Sequence, residues 1–356
     1  DAVRSTAKHV VLSMGIRWLC FCLLVKVPWS RRKWALPILV MPALSEKRAE
    51  QLGKQYHSPV DITIQIIRKI RQWLPQEDIA LSADGGFAAV ELVRTCQSFE
   101  RPVRFVCRAR LDAALYELTG EQPKSKRGPK PKRGKRQPSP QQLLNDSNRE
   151  WEKTVVDWYG GETKELEIMT GVSLWHSKPP SQKVGKDQES KDKERFRRKG
   201  LDPVLIRWVL VRCLSDPHFE EAVYFCSDVN ATPLQIFYLY MGRWNIEITF
   251  EEIRAQMGFE TQRHWSTLAI GRVTPCLFGL FSLVVAMAKT LYPETLPVKQ
   301  SGWYHKENAS FGDALAAVRS HLWSQFNYSR SSKRDDLCLI PRALFQTLQD
   351  TVCYVL

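Results

Sequence analysis

Between Ser58 and Arg108 the chain reads as helix, strand, glycine turn, helix and strand, and this stretch limits the available folds more than any other. Ser58-Pro59 opens a helix with proline at the first helical position, and Val60, Ile64, Ile67 and Ile70 recur at helical spacing until Leu74-Pro75 stops it. Residues 78–83 read as a short strand, Gly85-Gly86 as a sharp turn, residues 87–99 as an amphipathic helix carrying Val90, Leu92 and Val93, and residues 103–108 as another strand. A strand that returns beside its predecessor after a crossover helix runs parallel to it, so the expected class is α/β with a partly parallel sheet. Upstream, residues 10–40 are rich in β-branched, aromatic and aliphatic side chains broken by Gly15, Pro28 and Pro37, which predicts two or three strands, the first at 9–13.

Downstream the pattern changes. Residues 124–136, KSKRGPKPKRGKR, hold eight basic residues in thirteen with Gly and Pro between them, a composition expected to form an exposed loop that does not pack. Strand-like text returns at 154–158, 166–169, 205–212 and 222–226, interrupted by a charged loop at 181–200, and reads as a β-rich insertion. Three helices are then expected: one from the Thr232-Pro233 capping box to Gly258, one over 268–291, and one over 311–325 capped by Ser310. The expected organisation is a first core part at 1–120, a basic loop at 121–148, the β-rich block at 149–230, C-terminal helices at 231–330 and a tail at 331–356.

Lys and Arg outnumber Asp and Glu by 52 to 38, a net charge of +14 that favours polyanionic partners such as nucleic acid. The nine cysteines form no CxxC pair and no Cys/His spacing of a structural zinc site, and reduced buried thiols are expected, as suits a cytoplasm. The apolar runs at 18–25 and 276–288 fall short of the ~20 residues that span a bilayer, so neither a membrane segment nor a signal peptide is expected.

Two places carry candidate chemistry. Asp84 ends a strand and is followed by two glycines, so its side chain is expected at the carboxyl edge of the sheet, where α/β folds hold ligands; an Asp in such a place also forms turns. On the helix from 233 to 257, Ile236, Leu239, Ile246, Phe250, Ile253 and Met257 form a buried stripe. Tyr240, Arg243, Glu247, Glu251 and Arg254 form a second line beside it, which a solvated face with salt bridges would also produce.

The segment YMGRWNIEITFEEIR resembles the Y-x-x-R-x-x-x-E-x-x-x-x-x-x-K signature of bacterial insertion-sequence transposases of the DDE type, with Tyr240, Arg243 and Glu247 in place and Arg254 where the signature has lysine. IALSADGGFAAVEL resembles the strand-Asp-turn-helix element of the same family, and GIRWLCFCLLVKVPW, RARLDAALY, DWYGG and FEEIRAQMGFETQRHWS extend the likeness from about residue 2 to 325. The resemblance implies an RNase H-like mixed sheet flanked by helices, with a β-rich insertion before the catalytic C-terminal helix. It implies Asp84 and Glu247 as catalytic, metal-holding members of the carboxylate triad, and Tyr240, Arg243 and Arg254 as contacts to DNA phosphates. Lys130, Lys132 and Arg133 of the basic loop are further expected DNA contacts.

The first aspartate of the triad is expected upstream of residue 1 in an N-terminally truncated chain, with Asp1 a candidate, and Asp228 is a further carboxylate that could approach the site. Attack at phosphorus by water or a 3′-hydroxyl needs activation near neutral pH. Two Mg²⁺ ions about 4 Å apart, or Mn²⁺ in their place, supply it. The expected partners are terminal inverted repeats and target DNA, handled by a homodimer on paired ends, nucleoid-associated and away from any membrane. Two other functions share these residues: an inactive DNA-binding relic of a transposase, and an RNase H-like nuclease without strand transfer.

Overall fold

The computed structural model describes residues 15–119, 132–158, 161–176, 202–264, 266–300, 305–325 and 340–354. The first strand expected at 9–13 and the loop at 181–200 lie outside them. Contacts divide the chain into two compact units, His57–Arg243 and a second made of Asp1–Tyr56 with Trp244–Leu356.

The His57–Arg243 unit is built on a mixed seven-stranded sheet of order β3-β4-β9-β8-β7-β5, with β6 on β7. Its strands are β3 (Ala80–Ala83), β4 (Arg104–Ala109), β5 (Leu115–Tyr116), β6 (Glu152–Asp157), β7 (Thr163–Trp175), β8 (Val204–Arg212) and β9 (Ala222–Cys226). β3 and β4 pair in parallel, as the crossover helix required, and the remaining pairings are antiparallel. The β-rich block is continuous with the first part, because β9 pairs with β4 along Val106↔Cys226 to Ala109↔Val223.

The helices of this unit start where side chains can satisfy orphan amides. α2 (Pro59–Trp73) and α5 (Pro233–Met241) each have proline in the first turn and a capping box, Ser58 with Asp61 and Thr232 with Gln235. α3 (Val90–Ser98) buries Val90, Leu92, Val93 and Cys96, and the short α4 (Pro140–Leu144) buries Pro140, Leu143 and Leu144; α1 (Glu46–Gln51) belongs to the other unit. Ile236 and Phe237 of α5 pack with Val106, Leu166, Val209, Val211 and Tyr224 in one apolar cluster.

In the second unit, β1 (Arg17–Lys26) and β2 (Lys33–Ala43) form an antiparallel hairpin with a register shift at Phe21/Cys22. α6 (Asn245–Met257), α7 (Thr267–Leu291) and α8 (Phe311–Gln325) surround a core that includes Trp34, Ile253, Phe278, Phe281 and Phe311. Thr249, 2 % exposed, donates its hydroxyl to Ala35 O at 2.8 Å and so ties α6 to β2.

Several expectations are corrected. The helix read as continuous from 233 to 258 is broken by a 3₁₀ turn at Gly242–Trp244, where glycine's low helix propensity favours tightening; its end at Gly258 holds, with φ 70°. Three closing helices were expected, but α9 (Arg342–Tyr354) makes a further one inside the stretch read as tail. α7 follows the helix expected over 268–291, and at 25 residues it is long and apolar enough to cross a membrane by length and composition alone. Its Phe278, Phe281, Val284, Val285 and Ala288 are buried in the core, and Ser282 donates to Pro37 O at 2.7 Å.

The basic run also packs in part. Gly134 N donates to Glu117 O, Glu117 N to Lys135 O and Gln137 N to Leu115 O, so its last residues lie along β5. Gly134 permits this, since a Cβ there would stand 2.7 Å from Glu117 O. Among the described residues eight cysteines form no disulfide; five of them are buried, Cys20 and Cys22 are half-buried and Cys276 is exposed.

Candidate active site

Asp84 follows β3 at the edge of the sheet, at the carboxyl end of the strand, and it is exposed. Its extended backbone lets the side chain turn back to accept from Gly85 N at 2.7 Å, which starts the 3₁₀ turn Gly85–Phe87. A Cβ on Gly85 would stand 3.3 Å from Arg108 O, so glycine here allows the turn to lie close along β4.

Tyr240 comes to the same place from α5. Its ring lies 4.5 Å from that of Tyr224 on β9, and the Arg243 guanidinium carbon is 5.6 Å from its centroid. Burial pushes the Tyr240 phenol above its ordinary pKa; the charge of Asp84 adds to this, and the cations of Arg243 and Arg108 oppose it. The Tyr240 phenol thus lies within electrostatic range of Asp84, Arg243 and Arg108, at the end of the sheet where β3 and β4 run side by side. Arg108 was not selected from the sequence. It lies on β4, donates Nη2 to Glu220 Oε2 at 2.9 Å, and sits inside RARLDAALY; Phe105, Val106 and Cys107 before it are all buried, so the strand offers no alternation that would have singled it out.

Asp228 has a structural task. Arg104 binds its Oδ2 through Nε and Nη2, each at 2.9 Å, and its Oδ1 accepts from Asn230 N at 2.9 Å. The carboxylate thus locks the link between β9 and α5 to β4.

Glu247 and Arg254 belong to the other unit, on α6. Glu247 is half-buried in the first turn of that helix. Arg254 Nε pairs with Glu260 Oε1 at 3.0 Å, and Glu260 reaches it from a left-handed backbone with φ 72°. Sequence reading missed Glu252: burial pushes its carboxyl up, opposed by the charge of Arg32 from the β1–β2 turn. Of the basic-loop residues, Lys130 lies outside the described residues, Lys132 pairs with Asp202, and the Arg133 guanidinium lies 4.5 Å above the Tyr116 ring. Both described cations are thus engaged within the chain while remaining exposed.

Carboxylate oxygens are hard donors of the kind Mg²⁺ and Mn²⁺ take, and the exposed Asp84 carboxylate fits that chemistry. Among the described residues no group of three or more His, Cys, Asp or Glu side chains is arranged to hold a metal ion.

A mixed α/β sheet flanked by helices, with an exposed carboxylate at a strand end beside a tyrosine and arginines, places the chain with the RNase H-like domains. Residues 52–269, more than half of the chain, match the family model of the transposase DDE domain, and the chain belongs to that family. The match spans Asp84, Tyr240, Arg243, Glu247 and Arg254. No curated protein matches the chain significantly.

Proposed function

We propose that this transposase-family chain binds the ends of its own element, hydrolyses phosphodiester bonds there and joins the resulting 3′ ends to target DNA. The observation that carries the reading is the grouping of Asp84, Tyr240, Arg243 and Arg108 at one strand end. In this proposal Asp84 and Glu247 hold Mg²⁺, which when bound supplies charge for the attacking and leaving oxygens.

The chain's own groups do the rest. The guanidiniums of Arg243 and Arg108 offer planar paired donors to phosphate oxygens and hold a strand in register without reading bases. The half-buried Tyr240 keeps its proton at neutral pH, since its pKa is raised, and its hydroxyl can donate to a phosphate oxygen. Arg254 keeps the charge of the signature lysine with a different donor geometry, and in this chain it divides that charge with Glu260. The DNA is held as a pair of ends by two copies.

A second reading is a relic that binds DNA through the same basic residues without cutting it. One assay separates the two. Metal-dependent cleavage and end-joining are measured on linear element ends with the full-length protein and its Glu247→Gln and Asp84→Asn variants. Loss of both activities in the variants, with end binding retained, supports the enzyme; equal cleavage by all three proteins overturns the site, and binding without cleavage by the parent protein establishes the relic.

A further inference from the structure

Within the unit of Asp1–Tyr56 with Trp244–Leu356, α6, α8 and α9 border an open cavity of about 340 Å³ lined by Gln256, Lys299, Lys306, Asp313, Arg319 and Tyr354 among others. Apart from Gln256, its lining lies beyond the matched residues 52–269. Three cations and one carboxylate face it, so its lining carries an excess of positive charge.

The single carboxylate is already saturated. Asp313, 2 % exposed, accepts from Lys306 Nζ, from Ser310 N at 2.8 Å and Ser310 Oγ at 3.0 Å, from Lys299 N at 3.2 Å and from Tyr354 Oη at 3.4 Å. It neutralises Lys306 and has no capacity left for another cation. The Lys299 ammonium rests 5.0 Å from the Tyr354 ring centroid, and no carboxylate pairs with it among the described residues. Arg319 enters from α8, with Nη1 on Cys353 O at 3.2 Å. Gly312 adds bare backbone beside Gln256, whose amide would lie 3.6 Å from a Cβ there.

We propose that this cavity is a binding site for a phosphate group, held by Lys299 with Arg319, Lys306 and Gln256 around it. Lys299 and Arg319 bring charged N–H donors to one space where the only carboxylate balances Lys306, which leaves positive charge for an anion such as phosphate. The volume is at the lower end of the roughly 300–1,000 Å³ of small-molecule sites, enough for a phosphate with its attached sugar. Assigning the phosphate to a DNA backbone rests on the transposase reading.

The test uses the full chain in EDTA, so that no cleavage intervenes. Binding of a labelled duplex is followed by fluorescence anisotropy across a salt series for the parent, Lys299→Gln, and Lys289→Gln as an exposed lysine outside the cavity. Melting curves with and without inorganic phosphate are recorded for the same proteins. Lys299 is chosen because Arg319 also anchors α9, and matching circular dichroism confirms that the variant folds. A salt slope lowered by about 0.9 in Lys299→Gln alone supports the site with a DNA phosphate as its occupant. An unchanged slope, with phosphate stabilising the parent and not Lys299→Gln, supports the site with a free phosphate group as occupant. The proposal is overturned if Lys299→Gln matches the parent in both arms, or if Lys289→Gln loses as much. Failure of the cleavage assay above leaves these readouts intact, so the two proposals fall separately.

Discussion

Gly171→Ala should destabilise the sheet, against the ordinary tendency of alanine to stabilise a strand interior. Gly171 stands directly opposite Trp208 in the β7–β8 ladder, and the indole lies across it. A Cβ at 171 would be 2.6 Å from Trp208 Cζ2 and 2.8 Å from Cε2. Carbon pairs rest at about 3.5–4.0 Å, so the ring must move by about 1 Å. It has little freedom to do so: Trp208 is 7 % exposed, and its Nε1 donates to Ser173 Oγ at 2.9 Å.

Overpacking of this kind costs about 1–3 kcal/mol, while replacing Gly by Ala in a strand returns about 0.5–1 kcal/mol of backbone entropy. The net expectation is a loss of about 1–2 kcal/mol. With a urea slope of about 2 kcal/mol per molar, the midpoint falls by about 0.5–1 M. Urea unfolding followed in parallel by tryptophan fluorescence and far-UV circular dichroism gives this number where the two probes coincide. In Gly171→Ala/Trp208→Leu the combined loss should be smaller than the sum of the single losses, because the obstructing ring is gone. A midpoint equal to or above the parent's would refute the argument.

Two further outcomes follow from buried polar groups and caps. Asp313→Asn should cost about 3 kcal/mol near neutral pH, since it leaves the part-buried Lys306 without its partner. Burial pushes the Asp313 carboxyl up, yet hydrogen bonds from Lys306, Ser310 and Lys299 outweigh this and hold its pKa below the ordinary range. Its stabilisation is therefore complete above the unfolded value of about 3.9 and is lost as pH falls through the lower folded value, so parent and variant melting curves should converge only in strong acid. Ser58→Ala removes the acceptor of Asp61 N, 3.2 Å away, and should cost about 1 kcal/mol by urea unfolding, whereas Ser58→Asp should cost less.

How much of the molecule could be read in advance depended on the range over which each signal acts. The helix start at Ser58-Pro59, the capping box at Thr232, the helix stop at Gly258 and the parallel β3–β4 unit were legible because each is set within a few residues or by one crossover. Asp84 was legible as a strand-end carboxylate, whereas the spacing of Tyr240, Arg243 and Glu247 fits a solvated helix face equally well and singled them out only through its resemblance to the family signature. The break at Gly242 was not, since glycine tolerates both helical continuation and a 3₁₀ turn.

What tertiary structure alone decided is which charged group meets which. Arg104 and Asp228 are 124 positions apart, and only their pairing shows that Asp228 is a clamp. Arg108 joins Asp84 and Tyr240 because β4 carries it past the end of β3, and Arg254 finds Glu260 because the backbone turns back after Gly258. Spacing along a chain encodes secondary structure through local sterics. Partnership between charges depends on strand register and chain reversal, and these are settled only when the whole sheet and its core close together.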